Sequence, residues 1–130
     1  MSVHFGPGDR KFLGEIESLP MWLEEAGRGL LTEVRKEYKG SLHYYKDIKR
    51  YVESPDNFWA IELVPEGDKC EYFKIWVFGT PEQHEPITFR GMKQERAIYS
   101  TFSLDNKSQI PEAMQVIRNA KRIKDDLCKG

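Results

Sequence analysis

Two closely spaced β-favouring runs constrain this chain more than any other feature. Phe58-Trp59-Ala60-Ile61-Glu62-Leu63-Val64 is apolar but for one glutamate, and Glu71-Tyr72-Phe73-Lys74-Ile75-Trp76-Val77-Phe78 is apolar after its first residue but for one lysine. Short runs so rich in aromatic and branched residues read as largely buried strands. Pro65-Glu66-Gly67-Asp68-Lys69 between them supplies turn chemistry, so the pair is expected to form a hairpin. Lys74 stands out within the second strand. Burying an ammonium without a partner is costly, so this one must reach solvent or an anion.

The flanking segments add helices and further strands. Gly6-Pro7-Gly8 breaks a short β-prone start, and Asp9 is placed to cap a helix bearing Phe12, Leu13, Ile16 and Leu19. Proline is tolerated in a first helical turn but not in an interior, so a second helix is expected to begin near Pro20. Its apolar positions Trp22, Leu23, Ala26, Leu30, Val34 and Tyr38 lead to a stop at Lys39-Gly40. Gly27 and Gly29 each weaken this arm by about 1 kcal/mol relative to alanine, which fits either close packing or fraying. From Ser41 to Glu53, Leu42, Tyr45, Ile48 and Val52 fit a short helix, although the tyrosines and histidine also suit extended chain; a helix is expected.

Downstream, Ile87–Met92 and Ala97–Phe102 are expected as third and fourth strands. Ser108 is expected to cap a final helix with Ile110-Pro111 just inside it and Ala113, Val116, Ile117, Ala120, Ile123 and Leu127 on its apolar face. Helices, strands and a helix in that order give an α+β fold: an N-terminal helical hairpin, an antiparallel sheet of about four strands, and a C-terminal helix. With 130 residues, the chain has room for one core of ordinary size, so residues 1–130 are expected to form a single domain.

Charge and motif content remove several classes of function. Lys and Arg number 20 against 21 Asp and Glu, so no whole-molecule field favours nucleic acid or an anionic membrane. The charge is uneven along the chain, however. Nine basic and five acidic residues lie from Pro86 onward, a local charge of +4 against −5 in the first 85 residues, as in an acidic body with a basic end. No run approaches the roughly 18 apolar residues of a membrane span, and the start lacks the basic and apolar regions of a signal peptide, so a cytoplasmic location is expected. Cys70, assigned to a strand, and Cys128 lack disulfide-scaffold density and zinc-site spacing, and both are expected as free thiols. His4, His43 and His84 form no ligand spacing, and no phosphate-loop, dinucleotide or nucleophile-elbow motif is present. No metal or other cofactor is expected.

What remains is a group of cations on and beside the expected sheet: Lys74, Arg90, Lys93 and Arg96, with Tyr72 and Tyr99 as aromatic neighbours. A phosphodiester can be cut by its own 2′-hydroxyl without a metal if cations stabilise charge on the phosphate and one group moves a proton. Aromatic rings interleaved with positive charge also suit single-stranded RNA, whose unstacked bases need platforms. Solvated lysines and arginines on an open sheet face are the plain alternative.

The order of these residues resembles the RelE/HigB-like toxin superfamily of bacterial and phage toxin–antitoxin systems. Lys11-Phe12-Leu13-Gly14-Glu15-Ile16-Glu17-Ser18-Leu19-Pro20 resembles its opening "FLxxLxxLP" helix, and Phe58-Trp59-Ala60-Ile61-Glu62-Leu63 its "LWELRV" strand. Phe73-Lys74-Ile75-Trp76-Val77-Phe78 is similar to "YRVLYF", and Ile87-Thr88-Phe89-Arg90-Gly91-Met92-Lys93 to "VLLHGFxKK". Ile110-Pro111 and the later Ala120-Lys121-Arg122 are similar to the closing "TPxxEIxxAxxR".

The resemblance implies a RelE-like domain that enters the ribosome, cuts mRNA without a metal and is neutralised by an antitoxin protein. Lys74 would replace a phosphate-binding arginine, Arg90 would stand at a position often held by histidine, and Lys93 would keep a basic position. With Tyr99 as a stacking or proton-transfer group, these are the candidate catalytic residues. Arg96, Tyr72, Arg118 and Arg122 are the candidate RNA contacts. The sequence departs from the family pattern at Glu62, where the strand carries arginine, and over residues 94–108, which the simple pattern lacks. A non-catalytic interaction module on the same scaffold is the alternative function.

Overall fold

The computed structural model describes residues 3–85 and 91–128. Helix α1 (Pro7–Ile16) and helix α2 (Met21–Glu37) form the expected N-terminal pair. Asp9 is the third residue of α1 rather than its cap, and its Oδ2 accepts the Gly6 N–H at 3.1 Å, neutralising a donor at the helix start. Close packing explains the glycines of α2. A Cβ on Gly27 would lie 2.8 Å from the Phe73 ring, and one on Gly29 would lie 2.7 Å from Ile110 Cδ1.

The segment expected as a short helix is instead a hairpin, β1 (Ser41–Tyr45) and β2 (Arg50–Ser54). Helical spacing picked out Leu42, Tyr45 and Val52, but the period that wins is two. Leu42 and Tyr51 are buried, whereas His43 and Tyr45 point outward. Tyr45 pairs with Arg50, and Lys49 at φ 55° turns the chain between them. Strands β3 (Trp59–Val64) and β4 (Tyr72–Phe78) pair antiparallel as the sequence requires, Ala60 opposite Trp76 and Glu62 opposite Lys74. Cys70 is buried just ahead of β4 rather than inside a strand, and neither it nor Cys128 is in a disulfide.

The sheet is completed by β5 (Lys93–Arg96) and β6 (Tyr99–Leu104), giving six antiparallel strands in the order β1-β2-β3-β4-β6-β5 rather than about four. Of the expected strand Ile87–Met92, residues 87–90 lie outside the described residues, and Gly91 and Met92 precede β5. The next expected strand begins two residues late, because Ala97 and Ile98 form the turn into β6. Helix α3 (Ile110–Cys128) follows a 3-10 turn over Lys107–Gln109. Asn106 rather than Ser108 is the capping residue, its Oδ1 accepting the Ser108 N–H at 2.8 Å.

Strand alternation divides the sheet into two faces. Ile61, Phe73, Ile75, Phe102 and Leu104 point inward and join Phe12, Leu23, Leu30, Val34, Met114 and Ile117 of the helices in one buried cluster. All three helices therefore lie on one side of the sheet. The sequence split into an acidic body and a basic end does not survive folding. Arg118 of α3 bonds both oxygens of Glu37 at 2.8 and 2.9 Å, and Lys121 and Lys124 converge on Asp56 at 2.6 and 2.9 Å.

One charged cluster lies inside the helical layer. Arg35 donates to Asp9 through Nε (2.7 Å) and Nη2 (3.1 Å), and to Glu53 through Nη1 (2.9 Å) and Nη2 (2.8 Å). The backbone N–H of Leu42 adds a bond to Asp9 at 2.8 Å, and the Trp59 indole adds one to Glu53 at 2.8 Å. Burial opposes the charge on Arg35, but the bonds to the two carboxylates outweigh it and hold the guanidinium protonated. Burial also pushes the Glu53 carboxyl upward, against the pull of Arg35 and Trp59.

Candidate nucleic-acid interface

The sheet face opposite the helices carries the candidate site. Register puts Val52, Ala60, Trp76 and Thr101 in a row across β2, β3, β4 and β6, and the Tyr45–Arg50 pair of β1 and β2 lies two residues along on the same face. Alanine at position 60 leaves room between the larger neighbours. A hollow of about 310 Å³ opens there, with Tyr45, Arg50, Trp76, Arg96 and Tyr99 on its walls.

Cations and rings alternate around this hollow. The Arg50 guanidinium carbon lies 3.7 Å from the Trp76 ring centroid, and Lys74 Nζ lies 4.7 Å from it, both within cation–π range. Glu62 anchors the arrangement: its Oε1 accepts the Trp76 indole N–H at 3.0 Å and lies 3.5 Å from Arg50 Nε. That Nε is buried and, among the described residues, is the one side-chain nitrogen or oxygen so buried that has no hydrogen-bond partner. Burial lowers the Arg50 pKa and the nearby Arg96 charge adds to the effect, while Glu62 counters both.

A second cluster adjoins the first. Glu95 Oε1 is met by Lys74 Nζ at 3.1 Å from β4, Lys93 Nζ at 3.5 Å from β5 and Thr101 Oγ1 at 3.4 Å from β6. A β-bulge between Gln94 and Arg96 allows this. In a regular strand Arg96 would face away from Lys93, but the extra residue turns it back toward the hollow. The hydrogen bond from Lys74, with the charges of both lysines, holds the Glu95 carboxyl below its usual range.

Five of the eight candidate residues thus share this face: Lys74, Lys93, Arg96 and Tyr99 around the two clusters, and Tyr72 on β4 two residues before Lys74. Arg90 lies outside the described residues. Arg118 is in the helical layer, bonded to Glu37. Arg122 bonds Asn119 and Asp126 and lines a separate hollow with Phe78 and Ile98. Sequence reasoning missed Arg50, Tyr45 and Trp76. The first two were hidden by reading β1 and β2 as a helix, in a segment whose residues fit both helical and strand spacing.

His84 is buried and serves the fold. Its Nε2–H donates to the Phe78 carbonyl at 3.0 Å, which leaves Nδ1 to accept from Asn119 Nδ2 at 3.1 Å. Burial depresses its pKa, so the ring is neutral. Among the described residues no group of three or more His, Cys, Asp and Glu is arranged to hold a metal ion, and no helix is long and apolar enough to cross a membrane. Compared with protein-family models, curated proteins and solved structures, the chain matches none.

Proposed function

We propose that the open face of the sheet binds single-stranded RNA, with ribosome-bound mRNA as its target and an antitoxin protein as its controlling partner, as the RelE/HigB-like sequence pattern implies. The observation that carries RNA binding is the stacking of Arg50 on Trp76 at 3.7 Å beside a hollow also walled by Tyr45, Tyr99 and Arg96. A nucleobase needs a π-face and a nearby cation for its phosphate, and this surface offers both. Glu62 would repel a phosphate if it stood alone, but its hydrogen bond from Trp76 and its ion pair with Arg50 give it the task of orienting them.

The test is fluorescence anisotropy with a short labelled oligouridylate. Loss of one stacking partner typically costs about 1–3 kcal/mol, so Trp76→Ala is expected to weaken binding about 5- to 150-fold. Unchanged affinity in Trp76→Ala and Arg50→Ala overturns the assignment. Cutting the RNA would further require Lys74 and Lys93 to hold the scissile phosphate while Tyr99 moves the 2′-hydroxyl proton. Mapping mRNA 5′ ends in cells that make the protein tests this step. Cuts within translated frames that vanish in the Lys74→Ala/Lys93→Ala double variant support a nuclease, whereas intact mRNA alongside retained RNA binding leaves a non-catalytic module.

A further inference from the structure

We infer that Glu95 is an internal stand-in for phosphate, occupying a built anion seat formed by Lys74, Lys93 and Thr101 that an RNA phosphate takes over when it binds. As a site on the open face, the seat rests on the RNA-binding assignment above, but its chemistry can be tested without RNA. Three donors from three different strands point at one carboxylate oxygen, at 3.1, 3.5 and 3.4 Å. Thr101 is 1% exposed, so its hydroxyl is fixed by the sheet. Converging donors on one oxygen anion form the arrangement that also recognises a phosphoryl oxygen.

Two features make the occupant exchangeable. Glu95 sits in the bulge of the edge strand, so its side chain can rotate outward without breaking the register of the inner strands. Both lysines also retain access to solvent, with 27% and 71% of their side chains exposed, so an incoming anion can reach them before the carboxylate leaves. The seat adjoins the aromatic hollow, because Thr101 lies directly opposite Trp76 and Lys74 is two residues along the same strand. Lys74 Nζ bridges the two, 4.7 Å from the Trp76 ring centroid and 3.1 Å from Glu95 Oε1. A bound nucleotide would therefore place its base in the hollow beside the Arg50–Trp76 stack and its phosphate where Glu95 now lies.

Glu95→Gln keeps the shape and an acceptor oxygen while removing the competing charge. Inorganic phosphate is titrated into the wild type and E95Q while the amide resonances of Lys74, Lys93 and Thr101 are followed by NMR. In E95Q these shifts are expected to saturate at about fivefold lower phosphate, the weight of one like-charge contact at 4 Å in water. Equal titrations in the two proteins overturn the proposal. The oligouridylate assay separates it from the RNA assignment. Tighter RNA binding by E95Q, with a salt slope steeper by about 0.7 for each lysine released, supports both. A phosphate gain with no RNA binding by any variant removes the RNA assignment and keeps the seat. RNA binding that depends on Trp76 but is indifferent to E95Q removes the seat and keeps the RNA assignment.

Discussion

The molecule contains two places where basic and acidic side chains crowd together, and they differ in nearly everything but charge. Arg35 with Asp9 and Glu53 lies within the helical layer, its side chain 1% exposed, and main-chain and indole donors add to its bonds. Lys74 and Lys93 with Glu95 lie on the open face at the sheet edge, each side chain partly exposed. A guanidinium gripped from both sides in a dry interior cannot exchange partners without breaking the fold. Two flexible ammoniums sharing one carboxylate in solvent can. The comparison separates charge used as mortar from charge held ready for a ligand.

The most severe way to break this contrast is to remove the centre of each cluster. Arg35→Met leaves two buried carboxylates facing each other and is expected to cost about 3–5 kcal/mol in urea denaturation. Lys74→Met and Lys93→Met are expected to cost less than about 1 kcal/mol each, because exposed pairs are weakened by solvent and by ordering entropy. A similar loss in all three variants would erase the distinction.

A gentler probe uses pH. His84 is neutral in the fold and has its pKa depressed below the ordinary 6.5 by burial. Below pH 6.5 the unfolded chain therefore binds a proton that the folded one refuses, so stability falls as the pH drops from 6.5 toward the folded value. The slope is bounded by one proton, about 1.4 kcal/mol per pH unit. Denaturation midpoints across this range should show the decline, and His84→Asn should flatten it. Glu95 acts in the same direction in a more acidic window: its lowered pKa keeps its small contribution intact above 4.5, and acidification below that removes it.

Arg118→Ala should have the smallest effect. It breaks an exposed pair with Glu37 on the side away from the open face. Stability should change by less than about 1 kcal/mol, and oligouridylate affinity should not change. A marked loss of RNA affinity would extend the interface around the molecule to the helices.

The architecture was largely legible where one period dominates. The α1–α2 pair and the face of α3 repeat their apolar residues at helical spacing, and the β3–β4 hairpin shows as two nearly continuous apolar runs around a turn. Residues 41–53 were not legible in this way, because Leu42, Tyr45 and Val52 satisfy helical spacing while the alternation around Tyr51 and Glu53 satisfies a strand. Tertiary pairing decides between them. The site was legible in residue type but not in partner. Lys74 announces a need for an anion from its place in an apolar strand, yet that the anion is Glu95 depends on a bulge with no local signature. The triad was invisible for the same reason: Asp9, Arg35 and Glu53 each resemble ordinary surface residues until the chain brings them together across 18 and 26 positions.

The short bulged strand at the sheet border has one more consequence. An uncovered β-edge is a template on which stray chains can add by main-chain pairing, and long flat edges invite it. Among the described residues that border runs from Lys93 to Arg96, bears charge at three of its four positions and is twisted out of line by the bulge. The irregularity that aims Arg96 into the hollow thus also makes this border a poor template for an added strand, close beside an aromatic surface.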